Sequence, residues 1–527
     1  MSGNEVTEQA PEQSPPDGPE TSQSSPRAVL LKKIWWKIHA KFPNVIRSPY
    51  RDDRAYHLAR DVEENARTRV PVEATLRLNA VWTAELFGPT EIERLYLSLQ
   101  RLGWDKDRFG MPDHNPSDWI KHHRMYGSEG HFNLGLVARA ENRQRSFHRE
   151  YFANLPKEVD YLLVNFWQIS SSITCVLVGF VFKEEYARCY EEQLLKDRRT
   201  AHRTRKGRSG YFTFGVEHLK REAIESTRAK YRNIAVQWIQ KNIPGHFCLR
   251  SNGQRIPTTE LITSISEDIL KIRNDASEPR KEWAELLIPY GWGDTWVNHA
   301  CNGFRLRFDD LSAEAPFHAI ATVQTSEIPD QTLEFRGGRS AGAFVAFVHE
   351  RLGGIVTNYA ALALLREISR DLKHGRESLK TVRTSHRAVL RSLEQIKTFF
   401  DQSLGVPAMV AELKKRSENP TGYAWRCEDF RNDEPIRNGE VPQRISQGLR
   451  IQIKHLSERV LADEETTREH FQQIATILST RESVKAQNRM EWLTFVTVIL
   501  ALGSLLAALP RPWFSTVYSY VLAHLVR

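Results

Sequence analysis

The sequence predicts an α+β cytoplasmic domain followed by a long helical, coiled-coil-like hairpin and a C-terminal transmembrane helix. Three observations predict this order. Strand-like and helix-like patterns alternate without βαβ regularity from 48 to 340. Apolar residues then recur three and four apart between 345 and 490, broken once by a proline- and glycine-rich stretch. An uncharged run of 18 residues closes the pattern at 492–509.

The chain has 527 residues, 40% hydrophobic and 26% charged, which is globular composition and excludes fibrous and wholly disordered classes. Its formal net charge is +9, which suits an anionic partner, either nucleic acid or an anionic membrane surface. Five cysteines (Cys175, Cys189, Cys248, Cys301 and Cys427) are scattered with no CxxC pair. That argues against a disulfide framework and a zinc site. The tail 1–27 is rich in Ser, Pro, Gln and Glu, lacks the apolar stretch of a secretory signal, and reads as disordered.

A basic amphipathic helix is expected at 28–42 (AVLLKKIWWKIHAKF). Lys33, Lys37 and Lys41 fall four apart, Leu30, Ile34 and Ile38 form an apolar row, and Leu31, Trp35 and Phe42 lie beside it. Lys33, Trp35, Trp36, Lys37 and Lys41 are the candidate membrane-surface residues. The competing reading packs this helix on its own domain with the lysines outward.

Within 48–340, the segment 75–87 has strand alternation, and 89–102 is helical with Ile92, Leu95 and Leu99 on one face. The uncharged run 161–182 (YLLVNFWQISSSITCVLVGFVF) is long enough to span a bilayer. Asn165, Gln168, three serines and a high content of Val, Ile, Phe and Tyr favour two buried strands joined near Ser170–Ser172 instead. Helices are expected at 183–199 and 216–243, and a strand at 315–325.

Seven of thirteen residues from 196 to 208 are basic. Arg198, Arg199, Arg203, Arg205, Lys206 and Arg208 are the anion-binding candidates, against the plainer reading of a solvated loop. His114, His122, His123 and His131 match no metal-ligand spacing. The glycine-rich 337–342 (GGRSAG) lacks a phosphate lysine and reads as a hinge, and the aromatic 289–294 (PYGWGD) reads as a packed turn. There is no nucleophile elbow, HExxH or paired carboxylate motif, so no catalytic residue, metal ligand or cofactor is assigned.

From Leu365 the positions Ile368, Leu372, Leu379, Val382, Val389, Leu393, Ile396 and Phe400 form a heptad seam, with Gly375 and His386 as its defects. After the break at 414–443, Leu449, Ile453, Leu456 and Val460 keep a seam, which weakens through Asp463 and Thr467 and resumes at Phe471, Ile474 and Leu478. The simplest arrangement is an antiparallel hairpin over 345–490 whose second arm enters the membrane segment 491–509. Trp492, Leu493, Val496, Ile499, Leu502, Leu505 and Leu509 represent that segment, which at ~1.5 Å per residue spans about 27 Å. Arg481, Lys485 and Arg489 precede it, placing the N-terminal bulk on the cytoplasmic side. The last stretch, 510–527, begins Pro510-Arg511-Pro512 and carries a second, shorter apolar run with Tyr518, Tyr520 and His524, either interfacial or returning.

A soluble α/β part, long helices, a membrane helix and a second apolar run resemble the CorA-like divalent-cation channel family over 365–527. The resemblance implies a homo-oligomer assembled through the long helices. That family's Gly-Met-Asn occurs nowhere in this chain, and its place holds Pro510-Arg511-Pro512-Trp513, so no site residue is carried over. Three functions stand open: a membrane-anchored binding, sensing or scaffold protein with membrane lipid as partner; a CorA-like oligomeric channel; and a membrane-tethered enzyme or nucleic-acid effector, the least favoured.

Overall fold

The computed structural model describes residues 26–42, 46, 53–106, 115–145, 151–204, 211–271, 281–288, 294–308, 317–378, 394, 396–398, 405–419, 427, 430–433, 441–508 and 511–526. They fall into two compact units. One draws on 1–72, 190–228 and 277–288, the other on the remainder. The tail 1–27 lies almost wholly outside the described residues.

The larger unit is built on a ten-stranded sheet. Its strands are β1 (Arg77–Phe87), β2 (Gly130–Arg139), β3 (Tyr151–Ala153), β4 (Val159–Gln168), β5 (Thr174–Phe182), β8 (Thr258–Ser264), β9 (Thr295–Asn298), β10 (Cys301–Phe308), β11 (His318–Gln324) and β12 (Phe430–Asn432). They lie in the order β12-β9-β10-β11-β8-β1-β5-β4-β2-β3. All neighbours are antiparallel except β8 with β11 and β2 with β3. The uncharged run 161–182 is therefore the β4–β5 hairpin, turning at Ser170–Ser172. Every residue of β5 is buried. A central strand covered on both faces reads as a continuous apolar run, which is why this stretch imitates a membrane helix.

Two helices cover the sheet. The portion of α7 (Val216–Asn242) that belongs to this unit, 229–242, brings Trp238 against Phe180 and Trp104, and Tyr231 against Phe182. On the opposite face lies α11 (Ala341–Ser378), buried without a break from Leu352 to Leu365. Close approach on this face needs glycine. A Cβ on Gly179 of β5 would stand 2.6 Å from Trp82 Nε1, and one on Gly353 of α11 would stand 2.7 Å from the Trp167 ring. Trp82 and Gly179 are direct partners across β1 and β5. The sheet side also holds α3 (Ile92–Leu102), α4 (Pro116–Tyr126) and the short α8 (His246–Ser251). As expected, Ile92, Leu95 and Leu99 are the buried row of α3.

Three long-helix segments follow: α11, α12 (Val406–Glu418) and α13 (Ile445–Ala508), with α14 (Arg511–Leu525) at the end. Two expectations are corrected here. First, α11 is a core helix of the α+β unit before it is a coiled-coil arm, and β12, from between α12 and α13, joins the same sheet. The boundary at 340 therefore separates nothing. Second, the arms are not a single antiparallel pair. Asn358 of α11 bonds Arg416 (2.7 Å), whose neighbour Ser417 receives Arg450 of α13 (3.3 Å). Further along both arms, Arg376 meets Asp463 at 3.6 Å. The two long helices thus run in the same direction, while Lys414–Glu458 (3.9 Å) shows α12 running back along α13. Ile396 packs with Phe471, still further along. The seam positions Leu379, Val382, His386, Val389, Leu393 and Phe400 lie outside the described residues.

The α13 seam departs from the apolar pattern in its middle. Leu449, Ile453, Val460, Phe471 and Leu478 are buried as expected, but Ser457 is buried where Leu456 was expected, and Glu464 and Thr467 complete the row. Glu464 is held by Arg468 four residues on, and the Thr467 hydroxyl donates to the Asp463 carbonyl at 2.6 Å. A buried polar group is tolerated when bonded. The serine turn of the β4–β5 hairpin is fixed to α12 by Glu412, which accepts from Ser171 Oγ (2.8 Å), Ser172 N (3.0 Å) and Ser172 Oγ (2.5 Å). Burial raises the Glu412 carboxyl, yet the hydroxyls of Ser172, Ser170 and Ser171 outweigh it and hold the group below the usual carboxylate range.

The smaller unit contains α1 (Pro26–Lys41), α2 (Asp53–Arg67), α6 (Cys189–Leu195), the β6–β7 hairpin (Ala201–Thr204 and Tyr211–Phe214), the first part of α7 and α9 (Glu282–Glu285). Two arginines of α7 cap α9. Arg221 donates to the carbonyls of Glu285 (3.1 Å) and Ile288 (3.0 Å), and Arg228 donates to that of Leu287 (2.5 Å). Cations suit a helix C-terminus because its carbonyls are otherwise unpaired.

Among the described residues, no helix is long and apolar enough to cross a membrane. Leu509, the last residue of the uncharged run, lies outside them.

Candidate functional site

In α1 the expected surface residues are present as a helix. Lys33, Trp35, Lys37 and Lys41 are exposed, and Trp36 is half-buried. The residues that pack inward are His39 and Ala40, with His39 Nδ1 2.6 Å from the Ile46 carbonyl. The apolar row faces solvent instead: Leu30 is 59% exposed, Leu31 66%, Trp35 53% and Phe42 57%. Packing on its own domain therefore leaves the apolar face of α1 uncovered.

The basic stretch 196–208 is not a plain loop. Its first part is clamped to α2. Asn65 accepts from the Arg198 N–H (2.9 Å) and donates to the Arg198 carbonyl (2.7 Å), while Asp61 accepts from Thr200 N (2.9 Å) and Thr200 Oγ1 (2.5 Å). The Arg198 guanidinium meets Gln193 at 2.8 Å, and Arg199 is exposed. Arg203 sits on β6 opposite Phe212 of β7. Arg205, Lys206 and Arg208 lie outside the described residues. A cleft of about 360 Å³ opens beside Arg198 and Arg199, walled by α2. Nearby, the Lys220 ammonium donates to the Leu194 carbonyl at 2.6 Å, and burial lowers its pKa to about 8.

In the larger unit an open recess of about 500 Å³ lies between α3 and α4, lined by Tyr96, Gln100, Ser117, Lys121 and Arg124 among others. Lys121 stands over the Tyr96 ring at 5.4 Å, and Arg124 donates to the Ser172 carbonyl at 2.9 Å. Of the histidines singled out by spacing, His123 and His131 are spent on structure. His123 Nδ1 lies 2.7 Å from Ser128 Oγ, and His131 stacks on Trp167 at 5.0 Å. His114 and most of 289–294 lie outside the described residues. Among the described residues, no three His, Cys, Asp or Glu side chains are grouped to hold a metal.

Sequence reasoning missed a set of buried ionisable groups. Glu85 of β1 is fully buried, and the N–H groups of Phe247 (2.7 Å) and Cys248 (3.1 Å) donate to its two oxygens. Burial pushes its carboxyl up to about 8. Glu367 of α11 is raised to about 7 by burial and lies 3.6 Å from His246. His349 of α11 is held between two side chains. The Trp82 indole N–H donates to Nδ1 at 2.9 Å, so Nε2 carries the proton and the Asn165 amide, 3.0 Å away, must present its oxygen. Burial lowers His349 to about 4. Polarity in an apolar strand was the one available signal for Glu85.

At the far end of α13 the packing stops. Beyond Leu478 no described residue of this helix is buried. The uncharged stretch then exposes Trp492, Leu493, Phe495, Ile499, Leu500, Leu502 and Leu505 on every side, each at more than half of its surface. Val496 is half-buried. All three hydroxyls in this stretch bond back within the helix: Thr494 to Met490 O, Thr497 to Leu493 O and Ser504 to Leu500 O, each at 2.8 Å.

Compared with known proteins, the chain matches no family model and no curated sequence.

Proposed function

We propose that this chain is a membrane-anchored binding or sensing protein, held by 492–509 with its folded units on the cytoplasmic side and membrane lipid as its first partner. One observation carries the reading. The end of α13 is apolar all round, unpacked, and free of unsatisfied hydroxyls. A helix apolar on all faces belongs either in a protein core or in hydrocarbon. Among the described residues no core covers it, and bilayer interior tolerates hydroxyls that bond to their own helix. Lys485 and Arg489 just before the run support the assigned side. The test is fractionation of the full chain beside a version ending at Arg489. The full chain is expected to stay with membranes through an alkaline carbonate wash, and the shortened chain to be released. Release of the full chain by the wash would overturn the anchor.

A second reading, a CorA-like oligomer joined through the long helices, is favoured by one feature: α13 continues without a break from the folded unit into the apolar run, and a second helix follows. That helix, α14, has 15 residues. At ~1.5 Å per residue it reaches about 22 Å, less than a hydrocarbon core of ~30 Å. Its exposed Tyr518 and Tyr520 suit the interface. Protease or label access to the C-terminal Arg527 separates the readings. Cytoplasmic access marks a returning helix, and access from the far side marks one crossing.

A further inference from the structure

We infer that α2 and the adjoining Arg198–Arg199 strip form a second membrane contact, which takes the anionic headgroup surface of the bilayer. This rests on the membrane-anchor reading above and adds a site to it. The helix is inside out. Its buried face carries Asp61, Glu64, Asn65 and, one residue past its end, Thr68. Each is bonded inward: Asp61 to Thr200, Asn65 to Arg198, Glu64 to the N–H of Val216 at 3.1 Å, and Thr68 to the Glu64 carbonyl at 2.5 Å. Its solvent face carries Leu58, Val62 and Ala66, four residues apart, with Leu58 52% and Val62 67% exposed, beside the exposed charges of Arg60, Glu63 and Arg67.

An apolar row left in water while the polar row is spent on the fold calls for something to cover it. The rim says what. Arg69, Arg198 and Arg199 stand beside the same cleft as Leu58, Val62 and Ala66, together with Asp197, which pairs with Arg69 at 3.2 Å, so Arg198 and Arg199 carry the cleft's remaining positive charge. Apolar side chains rimmed by arginine match the boundary between acyl chains and anionic phosphates. An acidic peptide would satisfy the arginines but not the apolar row. A second copy of this basic chain would satisfy neither by charge.

The experiment uses the full chain reconstituted in vesicles, with Val62→Cys carrying an environment-sensitive fluorophore; the five native cysteines are buried. Phosphatidylserine-containing vesicles are expected to shift the emission to the blue and to allow quenching by brominated acyl chains. Pure phosphatidylcholine vesicles should do neither. Arg199→Gln should lower the docked fraction roughly fivefold, one basic residue's worth of surface attraction, and Leu58→Glu should abolish the shift while leaving the exposed helix folded. A fluorophore that stays in water while the chain resists alkaline wash would overturn this contact and leave the anchor standing. Quenching in vesicles followed by release in the wash would do the reverse. A shift that depends on protein density in neutral vesicles would assign the face to a second copy and overturn the lipid reading.

Discussion

Glu85 and His349 show how two buried ionisable groups on neighbouring elements set opposite pH limits. Folded Glu85 keeps its proton up to about 8, whereas in the unfolded chain it loses it near 4.5. Between these values the folded state binds more protons, so its contribution to stability falls as pH rises. His349 works the other way. Unfolded, it takes a proton near 6.5; folded, it refuses one down to about 4, so acid costs stability across that window. Between pH 4.5 and 6.5 the two oppose each other, and above that window Glu85 acts with His349 silent. The unfolding free energy of the detergent-solubilised chain is therefore expected to fall from about pH 7, the value to which Glu367 is raised, to about pH 8, by on the order of 1 kcal/mol per pH unit. Glu85→Gln should flatten that limb. Equal slopes in both proteins would show that Glu85 is not the group responsible. None of this was legible beforehand. A glutamate inside a strand pattern is visible in the sequence, but the backbone N–H groups that receive it come from residues 247 and 248, far along the chain.

The elements were legible where one face alone is buried. The row Ile92, Leu95 and Leu99 announced α3 because its other side meets water, and the β4–β5 hairpin was readable from its β-branched content despite its missing alternation. The seam of α13 was legible only at its apolar positions. Its middle is Ser457, Glu464 and Thr467, and polar residues carry no periodic signal until their bonding partners are known. This sets a contrast among neighbours on one helix. Ile453→Ala removes a fully buried side chain and should cost roughly 2–5 kcal/mol, whereas Ile477→Ala, at a position 66% exposed, should cost under about 0.5 kcal/mol. Urea unfolding of the two variants decides. Similar losses would mean that α13 packs with a different face from the one seen here. The three-residue strand β12 escaped notice because it is fixed by pairing with β9, far back along the chain, and not by its own pattern.

At the scale of the whole molecule, the order of parts could be read from the sequence and their direction could not. Heptad spacing says that α11 and α13 present apolar faces, and it is silent on which way each runs. A chain that breaks once between two helices suggests a simple hairpin. Instead α12, which lies mostly ahead of that break, makes a return pass, so the third pass repeats the direction of the first. The difference is large enough to measure. A hairpin closing over 414–443 would bring Arg376 level with Thr480, about 25 Å along the helix from Asp463 at ~1.5 Å per residue. In the arrangement seen here Arg376 meets Asp463 itself. A short bis-maleimide should therefore link Arg376→Cys to Asp463→Cys and leave Arg376→Cys unlinked to Thr480→Cys; the unmodified chain, its five cysteines buried, serves as background. The reverse outcome would restore the antiparallel hairpin.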